Sequence, residues 1–317
     1  MRKFIKLIAF LMCMVQIHSC DVHEFPEKEY PFVLHLDYNV EMPFYKLVEI
    51  EESPAMKSLQ MPEYDVRYMV NVYDAADENT REVLYTFTFT KDNISSLDTS
   101  VTLLLPAGNY RFLVWSDYVN QGSEEDLYYC TDRFEYISLP EQEHSGSNDM
   151  RDAFAGNITG TVSEQSLEAT VPMSRPMAKF NFITTDLADF LAGNVALEGC
   201  KIVFKYNGFM PCAYNMHTSK PTDSRTGTSF SSNIRQINEN EAELGFDYVF
   251  VNGDESKISV YIEVYDAGNT LLSTSKPVEI PLMRSKLTTV KAKFLTTDAG
   301  GGVVVSPGYD DDHNILI

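Results

Sequence analysis

The chain has 317 residues, a formal net charge of −21 and a hydrophobic content of 44%, with 19 Phe and 18 Tyr. So acidic a surface repels phosphate and anionic lipid, which excludes a nucleic-acid binder and a protein that lies flat on a membrane through basic patches. The aromatic and aliphatic content is ample for packed cores, so the acidity does not signal disorder, and the length suggests about two domains.

The first segment is a leader. Arg2, Lys3 and Lys6 form a basic head, and Leu7 to Val15 form an apolar run too short to span a bilayer, which takes about 20 residues. This is the anatomy of a signal peptide over residues 1–19. It ends at Ile17-His18-Ser19-Cys20, where a branched apolar residue, a small residue and Cys occupy the places read by the lipoprotein signal peptidase; His18 departs from the usual small residue. Cys20 is therefore the expected lipidation site. Acyl chains such as palmitate contribute about 0.8 kcal/mol per buried CH₂, and several together anchor stably. An ordinary secretory signal with a chance Cys beside its cleavage site is the alternative. Residues 20–30 then read as a lipidated linker, and loss of the three basic residues leaves the mature chain more acidic still.

Beyond the linker, strand follows strand. Phe32 to Tyr38, Tyr64 to Tyr73, Val83 to Thr90, Val101 to Leu105, Tyr110 to Trp115 and Phe134 to Leu139 are rich in β-branched and aromatic residues and bounded by turn formers. Leu84, Thr86, Thr88 and Thr90 alternate with Tyr85, Phe87 and Phe89, the period of a sheet with one buried face. Pro106-Ala107-Gly108-Asn109 reads as a turn in which Gly supplies a positive φ. The lone Trp115 lies in the apolar run RFLVW and reads as core. After Leu167 to Val171 the pattern restarts at Ala178 to Ile183, passes a short helix at Asp186 to Leu191, and continues through Lys201 to Tyr206, Phe246 to Val251, Ile258 to Tyr265, Val278 to Leu282 and Leu287 to Phe294. The reading is all-β with little helix: two β-sandwiches in tandem, over residues 31–173 and 174–317, with a C-terminal tail at 300–317. Val70-Asn71-Val72-Tyr73-Asp74-Ala75 is echoed by Ile262-Glu263-Val264-Tyr265-Asp266-Ala267, modest support for two similarly built sandwiches.

Chemistry-bearing motifs are scarce. No GxSxG, HExxH, Walker or dinucleotide pattern occurs, and the chain reads as a non-enzyme without catalytic residues, cofactor or metal. His144, Ser145 and Asp149 lie close in sequence, but in a Gly/Ser/Asn loop whose mobility defeats the positioning a catalytic triad needs. Asp310-Asp311-Asp312 with Asn314 could offer oxygens to Ca²⁺; the spacing is not that of an EF-hand, and a solvated acidic turn is the simpler reading. Gly300-Gly301-Gly302 has no following helix and reads as a hinge. With Cys13 in the leader and Cys20 acylated, Cys130, Cys200 and Cys212 remain; a Cys200–Cys212 bridge is possible, and two buried, unbonded thiols suit the spacing better.

Five longer stretches carry a resemblance: LPAGNYRFLVWSDYV (105–119), HSGSNDMRDAFAG (144–156), RPMAKFNFITTD (175–186), GFDYVFVNG (245–253) and IPLMRSKLTTVKAKFLTT (280–297). As a set they resemble the fimbrillin-related surface lipoproteins of Bacteroidetes, in the group of the fimbrial anchor subunits, and the likeness covers most of the mature chain. It implies two transthyretin-like sandwich domains, with Arg175-Pro176 at the entry to the second. Asp21 and Glu24, directly after Cys20, likewise resemble the surface-export signal of Bacteroidetes lipoproteins. Polymerising members lose their first strand to an Arg-directed protease and accept a strand from the next subunit, a form of β-augmentation. Here no Arg follows Cys20 before Arg67, which lies inside an expected strand; this suits an anchor or accessory subunit that keeps its lipid and its first strand. The resemblance implies a cell-surface, outer-membrane location and fimbrial subunits as partners. The tail at 300–317, with Val303-Val304-Val305 and Ile315-Leu316-Ile317, reads either as a strand closing the second sandwich or as a donor to a neighbour. A second function class is a glycan-binding surface lipoprotein of a nutrient-uptake system, for which Tyr118-Val119-Asn120-Gln121 with Tyr128-Tyr129 is the candidate platform. Neighbouring genes for further fimbrillin-like subunits favour the first class; a transporter and glycoside hydrolases favour the second.

Overall fold

The computed structural model describes residues 27–37, 64–77, 79–92, 100–141, 144–193 and 195–296 and the backbone of a strand at 313–316. The first half supplies β1 (Glu29–Asp37), β2 (Tyr64–Asp74), β3 (Tyr85–Asp92), β4 (Ser100–Pro106), β5 (Gly108–Asn120), β6 (Ile137–Ser138), β7 (Phe154–Val162) and β8 (Glu168–Ser174). The second supplies β9 (Met177–Thr184), the helix α1 (Leu187–Ala192), β10 (Lys201–Tyr206), β11 (Met210–Asn215), β12 (Lys220–Arg225), β13 (Ser229–Asn233), β14 (Arg235–Gln236), β15 (Ala242–Phe250), β16 (Glu255–Tyr265), β17 (Leu271–Thr274), β18 (Val278–Met283), β19 (Leu287–Ala292) and β20 (His313–Leu316). The chain is all-β with little helix, as its alternation requires.

In the first half the strands run in the order β3-β2-β5-β7-β8-β1-β4. β7 meets β8 at only two residue pairs, Ala155 with Ser174 and Gly156 with Met173, so the path folds there into two layers. Their inner faces share one core, in which Phe32, Leu34, Leu103, Phe112, Val114 and Val171 are fully buried. Gly156 stands at the fold because a side chain would collide: a Cβ would lie 2.5 Å from Met173 Sδ and 2.6 Å from Val171 Cγ1. β1 lies between β4 (antiparallel) and β8 (parallel), in the middle of its layer.

The second half packs two sheets as well. One has the order β13-β10-β16-β17, with β18 also against β16; the other has the order β14-β15-β9-β19-β20. Phe180, Phe182, Phe204, Ile262, Ile280 and Val290 from both layers are fully buried in one core. That core also takes in side chains from the first half: Tyr73, Leu113 and Trp115 from the outer face of β2 and β5, and Tyr129, Phe134, Ile137 and Leu139 from the segment after β5. Only β6 of the expected strand at 134–139 forms, and it joins β11 in a small sheet with β12. Leu139 N–H donates to the Cys212 carbonyl and Met216 N–H to the Phe134 carbonyl, both at 2.8 Å.

The internal echo maps onto equivalent places. β2 and β16 are each flanked on both sides in their sheets, and an Asp at the end of β2 and another directly after β16 cap the following turns: Asp74 accepts from Ala76 N–H and Asp266 from Thr270 N–H. The turn at 106–109 corrects one expectation. Gly108 does not have a positive φ. It is there because a Cβ would meet the Tyr110 ring at 2.9 Å, the ring that folds back so that its hydroxyl donates to the Pro106 carbonyl.

Candidate functional site

Cys20, the hinge Gly300–Gly302, Val303–Val305, the acidic run Asp310–Asp312 and Ile317 lie outside the described residues. Asn314, Ile315 and Leu316 lie in β20, whose backbone runs parallel to β19 in the register Thr288–His313 to Lys291–Leu316. Among the described residues, 313–316 therefore lie as a strand on the edge of the second half's sheet. The end of the stretch before them, Phe294 to Thr296, is held by Asp186, just ahead of α1. The Asp186 carboxylate accepts the backbone N–H groups of Phe294, Leu295 and Thr296 and the hydroxyls of Thr184 and Thr296. Burial would raise this carboxyl, but those donors outweigh it and hold it below its ordinary value.

Three of the five stretches quoted for the resemblance, 144–156, 175–186 and 245–253, converge on a buried polar cluster. β15 carries Asp247 at a position 1% exposed. Asp247 pairs through Oδ1 with Arg151, from the 3-10 turn Asp149–Arg151, and its Oδ2 accepts the Tyr206 hydroxyl of β10 at 2.6 Å and lies 2.5 Å from His144 Nε2. Burial alone would push the Asp247 carboxyl up; the Arg151 guanidinium, His144 and Tyr206 reverse this and hold it at about 2. Burial, then the Asp247 charge, pushes the Tyr206 phenol far above its usual range. Around the cluster, Phe246 N–H donates to Ser147 Oγ, Lys179 pairs with Asp149 at 2.6 Å, and Arg175 grips Asp152 through two bonds. The segment at 144–153, expected to be a mobile loop, is thus bonded across to β9 and β15; the polar residues that suggested mobility are consumed as caps and ion pairs. His144 is buried in this network, whereas Ser145 is exposed. Of the three residues weighed as a nucleophilic set, His144 faces Asp247 and Asp149 pairs with Lys179.

A second buried cluster lies beneath the segment after β5. Arg67, 2% exposed, makes a two-pronged contact with Asp117 at 2.8 and 2.9 Å and a further one with Asp126 at 2.9 Å. The Trp115 indole N–H donates to the same Asp117 at 3.1 Å, and its ring packs edge-on against Tyr129 at 5.2 Å. Trp115 is core, as its strand context implied. A third cluster, where β2 and β5 meet the turn after β11, holds His217 against Tyr73 at 4.9 Å between ring centres. Burial, with Arg81 and Arg111 nearby, lowers His217 to about 4.

The candidate glycan platform does not present its rings together. Tyr118 and Tyr129 are 2% and 1% exposed and Val119 is fully buried, because these rings fill the two cores; of its other residues, Asn120 and Gln121 are exposed and Tyr128 is half-buried. Cys200 and Cys212 are free and buried, and Cys130 is free and exposed. Among the described residues no group of three His, Cys, Asp or Glu side chains could hold a metal ion. What sequence reading missed is the pairing of Asp247 with Arg151 and of Arg67 with Asp117; the available signal was a charged residue inside an apolar strand, as in GFDYVF and YDVRYMV.

Comparison with solved structures finds the fimbrial anchor protein Mfa2 from Porphyromonas gingivalis, 9% identical, covering 78% of this chain and 81% of that one at a TM-score of 0.43. It also finds a fimbrial assembly protein from Parabacteroides distasonis (13% identical, 84% and 91% covered, TM-score 0.42). A third is a candidate cell adhesion protein from Bacteroides eggerthii (12% identical, 92% and 99% covered, TM-score 0.46). No curated protein matches the sequence. A family model matches from residue 27 to residue 317, spanning every strand described above, and on that match the chain belongs to DUF6562, a family of unknown function.

Proposed function

We propose that the chain is a cell-surface subunit of fimbrial or adhesive assemblies, tethered to the outer membrane through acylated Cys20 and joined to partner subunits by β-strand pairing. Two of the solved structures above are named a fimbrial anchor protein and a fimbrial assembly protein; the reading here rests on this chain's own leader and sheet edges. The observation that carries it is β20: residues 313–316 pair with β19 in parallel register, the kind of pairing a partner's strand would use. The first strand supports the anchored form. Phe32 and Leu34 of β1 are fully buried between two neighbouring strands, so a cut ahead of β1 would separate the lipid from the folded body.

Two measurements test this. Cys20→Ala is expected to release the protein from the outer-membrane fraction; a variant that still fractionates there overturns the anchor. Deleting residues 300–317 is expected to leave both cores folded and to reduce capture of crosslinked partner subunits in intact cells. If the truncated chain unfolds, the tail is part of the intrinsic core and the pairing role for it is lost.

A further inference from the structure

The edges of the described sheets are not equally protected. A sheet edge exposes unpaired backbone groups, and proteins blunt it with proline, charge, bulges or shortness. β12 contains Pro221 and pairs with β11 through register shifts; β17 has four residues and a shift of its own; β18 contains Pro281; β14 has two residues and β13 five, three of them Ser. β4 ends in Pro106, and Lys91 Nζ donates to the Ser100 carbonyl at its start. β3 has none of these devices along most of its length. Its sequence is YTFTFTKD, eight residues without Pro, Gly or charge before Lys91. It pairs with β2 without a register break from Tyr85–Val72 to Asp92–Asp65 and, among the described residues, ends the strand order of its sheet.

We infer that β3 is a self-association edge, on which a second copy of this chain pairs its own β3 antiparallel. The proposal goes beyond the reading of the tail and does not depend on it. The strand is complementary to itself. With Thr88 opposite Thr88 of the second copy, Phe87 faces Phe89 and Thr86 faces Thr90, so the aromatic side of each strand continues across the joint. Within one copy these rings already stack, Tyr85 on Phe87 at 6.5 Å and Phe87 on Phe89 at 6.4 Å, and they pack on the first core. Cross-strand aromatic pairs and Thr pairs are favourable neighbours in antiparallel sheets, and the same patch used twice closes a two-fold dimer rather than a filament.

Charge on the strand does not oppose the same partner. The two Lys91-Asp92 ends fall at opposite ends of an antiparallel pair, where Lys91 meets Tyr85 of the second copy and no like charges face each other. A chain of net charge −21 repels its copies at long range, and a neutral strand is where they can approach. Association is therefore expected to strengthen as salt screens the repulsion.

The test uses the full chain in cells, with Cys130→Ser to remove the exposed thiol. Thr88→Cys places a thiol opposite itself in the proposed register and is expected to give an oxidised dimer of twice the chain's mass, at least tenfold above Thr102→Cys on the exposed side of β4. Monomer alone, or an adduct of another mass, overturns the proposal. Two differently tagged wild-type chains provide a second measurement should Thr88→Cys fail to fold. They are expected to co-purify, more strongly at higher salt, with Thr88→Lys on one chain cutting recovery tenfold or more; absence of co-purification overturns the proposal independently.

Discussion

Asp247→Ala is expected to lower the unfolding free energy by about 3–5 kcal/mol, measured as a shift in the denaturant midpoint at unchanged slope. The substitution leaves Arg151, 3% exposed, with its charge buried and its partner gone. It also removes the acceptor of the Tyr206 hydroxyl and the neighbour of His144 Nε2. A loss below about 1 kcal/mol would mean that water or another group compensates Arg151. The same carboxylate sets a pH dependence. Its folded value of about 2 lies below the ordinary value of about 3.9 for an unfolded Asp. The stability it confers is therefore complete above about pH 4 and is lost as the pH falls from 4 towards 2, an effect of order 2–3 kcal/mol. In Asp247→Asn this part of the acid dependence should vanish. The cluster is better regarded as a specifier than as a stabiliser, since a buried ion pair gains little over apolar packing of the same volume. What it fixes is where the segment at 144–153 docks on β15.

The second large effect is expected at Trp115. Trp115→Ala should cost about 3–5 kcal/mol, because the ring is fully buried and its removal opens a cavity against Tyr129 while stripping one donor from Asp117. The ring sits where the outer face of β5 meets the core of the second half, so it reports on the junction itself. In the wild-type chain, fluorescence from this single Trp and far-ultraviolet circular dichroism should trace one coincident unfolding transition. Two separated transitions, with the fluorescence change confined to one, would show that the halves unfold independently despite the shared residues.

Most strands were legible because their inner faces are aromatic or branched and their outer faces polar, as in KIVFKY of β10 or ISVYIEVY within β16. The strands that sequence did not reveal lack that contrast for physical reasons. β7, FAGNITGTV, carries two glycines, one of them imposed by the approach of Met173 and Val171. β12, KPTDSR, is exposed or half-exposed throughout, and β17 presents both of its leucines to solvent. The buried clusters were hidden for another reason. Asp247 and its partner Arg151 stand 96 residues apart, and nothing local to either motif announces the other. Three of the five stretches proved to be one structural object: charged residues of 144–156, 175–186 and 245–253 meet in the joint between segment 144–153, β9 and β15. The tyrosines at 118–129 illustrate the converse, since a run of polar and aromatic residues near a turn looks like a binding surface until the cores claim the rings.

The position of β1 has a mechanical consequence. Backbone bonds in a sheet lie across the strands, and β1 is held by such bonds on both sides, to β4 over Glu29–His35 and to β8 over Val33–Asp37. A pull along its axis from the membrane side loads these bonds together in shear, instead of peeling them one at a time from an end. On the proposed anchoring, a nine-residue strand clasped between two neighbours is in this sense a mooring, able to pass drag on the folded body towards Cys20 without first unravelling the sheet.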